Sequence, residues 1–316
     1  MEVSKVATGK RMTGSKRSNR WDRIRRNWVL YLFLVPTLVY LLVFNYAPLT
    51  GIQIAFKKFV ASKGIWGSEW VGLKNFQKFF GSYMFGDVLL NTVILSVYQL
   101  VASFAFPIIL AILLNYSVSH RLSKVTQMVT YAPHFISTVV MVGMLNVFLS
   151  DSGIVNQLLA KVGAEQVHFL SNAGAFRHIY VWSHIWQRTG YNSVIYIAAL
   201  AGVSPELHEA AIVDGANKIQ RIWHIDIPSI LPTAIILLIM DTGNILSLGF
   251  EKVYLMQNDL NLGVSEIIST YVYKIGLINA QYSYSTAIGL FNNVVNLIIL
   301  LSVNKLADKL SGTSLL

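Results

Sequence analysis

Six apolar blocks, each long enough to cross the hydrocarbon core of a bilayer as a helix, constrain this chain more than any other feature. They run from Trp28 to Tyr46, then at about 88–114, 125–149, 179–201, 229–249 and 286–303. A spanning helix needs roughly 20 predominantly apolar residues. Charged residues make up 13% of the chain, about half the share of a soluble domain, so lipid rather than an enlarged core accounts for the apolar excess. The expected fold is all-α: a polytopic membrane protein with six transmembrane helices. The first block is a retained span rather than a cleaved leader, because Asn45-Tyr46-Ala47-Pro48 follows it in place of a small-residue cleavage site. With 0 Cys, disulfides and thiolate metal sites are excluded.

The net charge of +10 would suit a nucleic-acid binder, but its placement reads as topology and no nucleic-acid partner is expected. Nine Lys/Arg precede the first block, and loops on the same side add Arg121, Lys124, Lys218, Arg221, Lys305 and Lys309, fifteen in all against eight in the opposite loops. The positive-inside rule then places both termini in the cytoplasm. The chain divides into a basic cytoplasmic segment at 1–27 that lies on anionic lipid, one transmembrane domain at 28–306, and a short cytoplasmic tail at 307–316. In the first outer loop Leu73, Phe76, Phe79, Phe80 and Tyr83 recur at helical spacing around Lys74 and Lys78, which fits either an amphipathic interfacial helix or a packed connector.

The loop at 202–228 carries the strongest local code. Ser204 is placed to N-cap a helix, Pro205 suits its first position and Glu206 its positive first turn. Gly215 stands where a helix end needs the left-handed region. Asn217 and Gln220 have capping-box spacing, and Ile227-Pro228 ends that pattern and opens the fifth span. Two short helices outside the membrane exceed what a connector requires. Ala210 and Ala211 would let a partner backbone approach closely.

These residues carry a resemblance. Glu209-Ala210-Ala211, followed by Asp214-Gly215-Ala216 and then Pro228, resembles the EAA loop of bacterial ABC importer permeases. Ile222 followed by Trp223 departs mildly from the Phe frequent there. Trp70 to Phe76, Phe44 to Phe56, Pro133 to Ser137 and Gly190 to Leu200 are similar to the carbohydrate branch of that family. The resemblance implies a permease in the bacterial cytoplasmic membrane that imports an oligosaccharide delivered by an extracellular binding protein. It implies a second, different permease chain and two cytoplasmic ATPases docked on the EAA loops. ATP and Mg would belong to those ATPases. This chain would be no enzyme and would bind no cofactor, consistent with the lack of a G-x-x-x-x-G-K-[ST] phosphate loop in it.

Polar groups inside spans must face protein or a water-filled path. Arg188 in the fourth span and Asp241 in the fifth are the two deep ionisable residues, expected either to pair or to flank a sugar. Gln187, Tyr191 and Asn192 surround Arg188, Asn244 follows Asp241 by one turn, and Tyr98 and Gln99 sit mid-way in the second span. Amides, hydroxyls and aromatic faces are what sugar recognition needs, although helix–helix adhesion uses the same groups. Arg188 also departs from the small or apolar residue common in relatives. Histidine spacings give no metal constellation. A permease for a non-sugar solute, or an ion-coupled carrier using Arg188 and Asp241, are the alternatives.

Overall fold

The computed structural model describes residues 25–312, which fall into two bodies divided between Ile52 and Gln53. The basic segment before Arg25, with its expected lipid contact, and the last four residues lie outside the described residues. In the first body, α1 (Trp28–Leu41) passes into a π turn at Leu42–Tyr46 and a 3-10 run beginning at Ala47, and none of its helical residues is buried.

The second body is built from α2 (Lys74–Phe80), α3 (Met84–Asn115), α4 (His120–Tyr131), α5 (Thr138–Phe148), α6 (Ile154–Lys161) and α7 (Ala173–Ala201). It continues with α8 (Pro205–Val213), α9 (Lys218–Arg221), α10 (Ile227–Thr242), α11 (Phe250–Met256), α12 (Ile268–Tyr273) and α13 (Tyr282–Ser311). Among the described residues one two-residue antiparallel ladder, β1 (Lys57–Lys58) on β2 (Glu69–Trp70), is the exception to an all-helical reading.

Among the described residues four helices are long and apolar enough to cross a membrane: Trp28–Phe56, Met84–Asn115, Lys218–Thr242 and Tyr282–Lys309. A fifth arises if α4 and α5 form one broken span. The expected count of six does not follow from length and composition, because α7, though 29 residues long, is interrupted by Arg177, His178, His184, Gln187 and Arg188.

Other expectations change at particular residues. The block at 125–149 is not one helix but two, bent by 101°. The chain turns extended at Ile136 and Ser137, and Ser137 starts the second helix by accepting from the Val140 N–H. The block at 229–249 is helical only to Thr242, after which the chain unwinds and is held by α13: Asn296 Oδ1 accepts from Leu246 N–H at 3.0 Å and its amide donates to Ser247 Oγ at 3.0 Å. The outer helix is seven residues long and a packed connector. Phe79 is fully buried among Phe85, Tyr284 and Phe291, while Tyr83 lies beyond the helix and is exposed.

The core forms where α3 packs along α7, with Leu95, Ala102, Tyr180, Val181 and Ile185 buried there beside Leu248 and Val253. Lipid tails are as apolar as leucine, so association here rests on close contact and interhelical hydrogen bonds. Small residues mark the closest approaches. A Cβ on Gly190 would stand 2.1 Å from the Thr130 carbonyl oxygen of α4.

Candidate functional site: a coupling loop, a braced corner and a polar cavity

The loop between α7 and α10 folds as two short helices. Pro205 opens α8 and Glu206 lies in its first turn, but the Ser204 side chain makes no capping hydrogen bond, so that expected cap is absent. At the other end Gly215 has φ +80°. Its N–H donates to Ile212 O at 3.0 Å and the Ala216 N–H to Ala211 O at 2.8 Å, the paired bonds of a Schellman ending. Asn217 and Gln220 form the expected capping box on α9. Pro228 does not break the chain: α9 runs through a π turn at Ile222–Asp226 into α10, where proline stands in the first turn.

This loop turns its apolar side chains outward. In α8 only His208 and Ala211 are partly covered, leaving Glu209, Ala210 and Asp214 exposed. Leu207, Ile212, Val213, Ile219 and Trp223 are exposed as well, Val213 by 87%. Exposed apolar side chains beside Glu206, Glu209 and Asp214 are what a partner protein would cover.

Beneath it lies a buried carboxylate that the sequence reading missed. Asp226 is 0% exposed. Its Oδ2 accepts from the Tyr116 hydroxyl at 2.6 Å, and His208 Nε2 stands 3.3 Å from Oδ1. Oδ1 nevertheless has no aligned donor, so the pair is a contact rather than a formed hydrogen bond. Burial, then the bond to Asp226, pushes the Tyr116 phenol up to about 12.

A second group of predicted residues converges on the bend between α4 and α5. Gln187 is buried and donates its amide to Ile136 O at 2.7 Å. An Arg188 Nη lies 3.3 Å from His134 Nδ1, and Tyr191 stacks on the His134 ring with centroids 3.7 Å apart. Arg188 and Asp241 form no ion pair, which corrects that expectation: Arg188 is engaged at the bend, and Asp241 faces elsewhere. Both are exposed on this chain, whereas Lys252 and Glu266 are ionisable groups that are buried. Lys252 donates to Tyr180 O at 3.0 Å, and Glu266 is paired with Lys274.

The third feature is a cavity of about 280 Å³. Ser96, Gln99 and Ser103 line it from α3, His184 and Asn192 from α7, Asp241 from α10, and Asn244, Ser247 and Gly249 from the unwound segment. Thus Gln99, Asn192, Asp241 and Asn244 come together, whereas Gln187, Arg188 and Tyr191 belong to the bend. Tyr98 points away, its hydroxyl 3.1 Å from His178 Nδ1. Ser96 Oγ, Gln99 Oε1 and Ser103 Oγ are buried without hydrogen-bond partners. They recur at helical spacing on one face of α3, where unpaired polar atoms await water or a polar ligand. Ser96, Ser103 and Asn296 were legible only as polar residues inside apolar blocks.

A helical membrane body, an exposed coupling-type loop and a half-open polar cavity define a transport permease. The chain belongs to the family of binding-protein-dependent transport system inner membrane components, whose model matches residues 105–312. It is 43% identical to protein LplB of Bacillus subtilis (strain 168) over 94% of each chain. It is 42% identical to the polygalacturonan/rhamnogalacturonan transport system permease protein YteP of the same organism, over 93% of this chain and 92% of that one. Among solved structures it is similar to a chain of a bacterial alginate ABC transporter in complex with alginate pentasaccharide-bound periplasmic protein, at 38% identity and a TM-score of 0.87, covering 93% of this chain and 99% of that chain.

Proposed function

We propose that this chain is the permease subunit of an ATP-driven importer of oligosaccharides, with uronate-bearing oligosaccharides as its first candidates. The observation that carries the sugar path is the unpaired face Ser96–Gln99–Ser103 opposite Asn192, Asp241 and Asn244. The cavity is near the lower end of the roughly 300–1,000 Å³ of small-molecule sites, so it accommodates one ring at a time and a chain would pass ring by ring. The sugar acids carried by the relatives support the uronate assignment. Asp241 lines the cavity and favours ring hydroxyls at its own position.

In this reading α1, α3, the bent pair α4–α5, α7, α9–α10 and α13 are six spans of one domain at 28–306. Both termini are in the cytoplasm of a bacterium, and the protein resides in the cytoplasmic membrane. The loop at 202–228 receives a cytoplasmic ATPase, which holds the ATP and Mg. A second, different permease completes the path, and an external binding protein delivers the sugar. The test is uptake in proteoliposomes holding the complete importer, with labelled oligogalacturonides, alginate oligosaccharides, neutral arabino-oligosaccharides and glycerol 3-phosphate. ATP-dependent uptake of the uronate oligosaccharides is expected, falling when Gln99→Leu and Ser103→Ala remove the unpaired face. Uptake driven by an ion gradient without the ATPase would reject the importer, and preference for the neutral sugars would reject the uronate assignment.

A further inference from the structure

Three elements leave the coupling region by different routes, and all meet at one side chain. Asp226 sits in the π turn that joins α9 to α10. Tyr116, which donates to it, caps the end of α3. His208, in contact with its other oxygen, is one of two partly covered residues of α8. Arg221 of α9 places its guanidinium over the Tyr116 ring at 5.7 Å, and its buried Nε has no hydrogen-bond partner. A fully buried carboxylate is costly unless its hydrogen bonds hold, and breaking one side leaves the charge uncompensated. Such a group therefore resists separation of the elements that bond to it.

We infer that Asp226 is a positioning residue that ties the coupling loop to the second span, so that movement of the loop against an ATPase is carried directly into α3. The inference rests on the proposed coupling role of the loop. The tie is firm on one side and loose on the other. The Tyr116 bond fixes α3 to the π turn, while Oδ1 lacks an aligned donor and His208 waits within 3.3 Å. A small shift of α8, which touches the body through little besides His208 and Ala211, would align or release that contact. Interfaces that switch by shifts of about 1–2 Å work through such exchanges. The same α3 presents Ser96, Gln99 and Ser103 to the cavity, so the tie connects the loop to a wall of the sugar path through a single helix.

With 0 Cys in the native chain, cysteines placed at Ile219 on α9 and Leu113 on α3, both exposed, carry the only two spin labels on this chain. The distance between them is measured in the complete importer in nanodiscs, with and without ATP and vanadate. In the parent the two labels move as one body and nucleotide leaves a single distance population. Tyr116→Phe deletes the donor while keeping the ring beneath Arg221, and Asp226→Asn removes the charge. Each is expected to let nucleotide split the distribution, the detached fraction rising about tenfold or more for loss of a charge-assisted bond. The double variant should be no worse than Asp226→Asn alone. A destabilised fold would instead broaden the distribution equally with and without nucleotide, and that result counts against the tie. An unsplit distribution in Tyr116→Phe overturns it, and this variant decides alone if Asp226→Asn fails to assemble. Failure of the importer reading would look different: the parent chain would then bind no ATPase at all.

Discussion

Replacing Gly190 by alanine adds one methyl group to a 29-residue helix and should nevertheless destabilise the protein substantially. By intrinsic propensity the change is favourable, by about 1 kcal/mol in a helix interior. The neighbours decide the sign. The new Cβ would lie 2.1 Å from the Thr130 carbonyl oxygen, 2.3 Å from its carbon and 2.9 Å from its Cβ. Backbone cannot rotate aside as a side chain can, so α4 and α7 must part by about 1 Å at a packed interface. Overpacking costs about 1–3 kcal/mol, and a clash with main chain belongs at the upper end. A net loss of about 2 kcal/mol remains after propensity, close to thirtyfold in the folded ratio. The same separation would pull Gln187 from Ile136 O and Tyr191 from His134, so the bend between α4 and α5 should loosen too. Thermal denaturation of the purified assembly, followed by tryptophan fluorescence, measures the effect. Gly143→Ala in α5 is the control, because its Cβ would meet nothing within 4 Å in this chain. If Gly190→Ala proved as stable as Gly143→Ala, the close approach of α4 to α7 would not exist as described.

Gly215→Val should uncouple ATP hydrolysis from uptake while membrane insertion stays normal. The new side chain would meet no neighbouring atom, yet φ +80° is strained for a β-branched residue, so the turn between α8 and α9 must reorganise. Gly215→Asn, which tolerates the left-handed region, should be much milder, and equal transport by both variants would remove the backbone argument. Because Arg188 and Asp241 share no contact, Arg188→Gln and Asp241→Asn should reduce uptake additively to within about 0.5 kcal/mol. A double variant better than Arg188→Gln alone would restore the ion pair that the geometry denies.

What the sequence made legible was local. Gly215, Asn217 and Gln220 act on residues within a few positions of themselves, and the left-handed turn and the capping box follow from those neighbours alone. Where a partner lies far along the chain, the same kind of reading stalls. Arg188 and Asp241 were placed at similar depth by counting along two antiparallel spans, but counting gives depth and not rotation. Rotation about the helix axis sends Arg188 to His134, 54 positions away, and Asp241 into the cavity. The same limit explains the missed tie: Tyr116 and Asp226 lie at the ends of different spans, and only folding brings them together across 110 positions. Two motifs show the converse. Pro133-His-Phe-Ile-Ser137 and the stretch beginning at Gly190 stood apart in the sequence as unconnected signatures. In the fold Gly190 permits α4 to close on α7, and Tyr191 then covers His134. One packing contact therefore accounts for both signatures, with the bent span held in place by residues whose polarity first suggested a sugar.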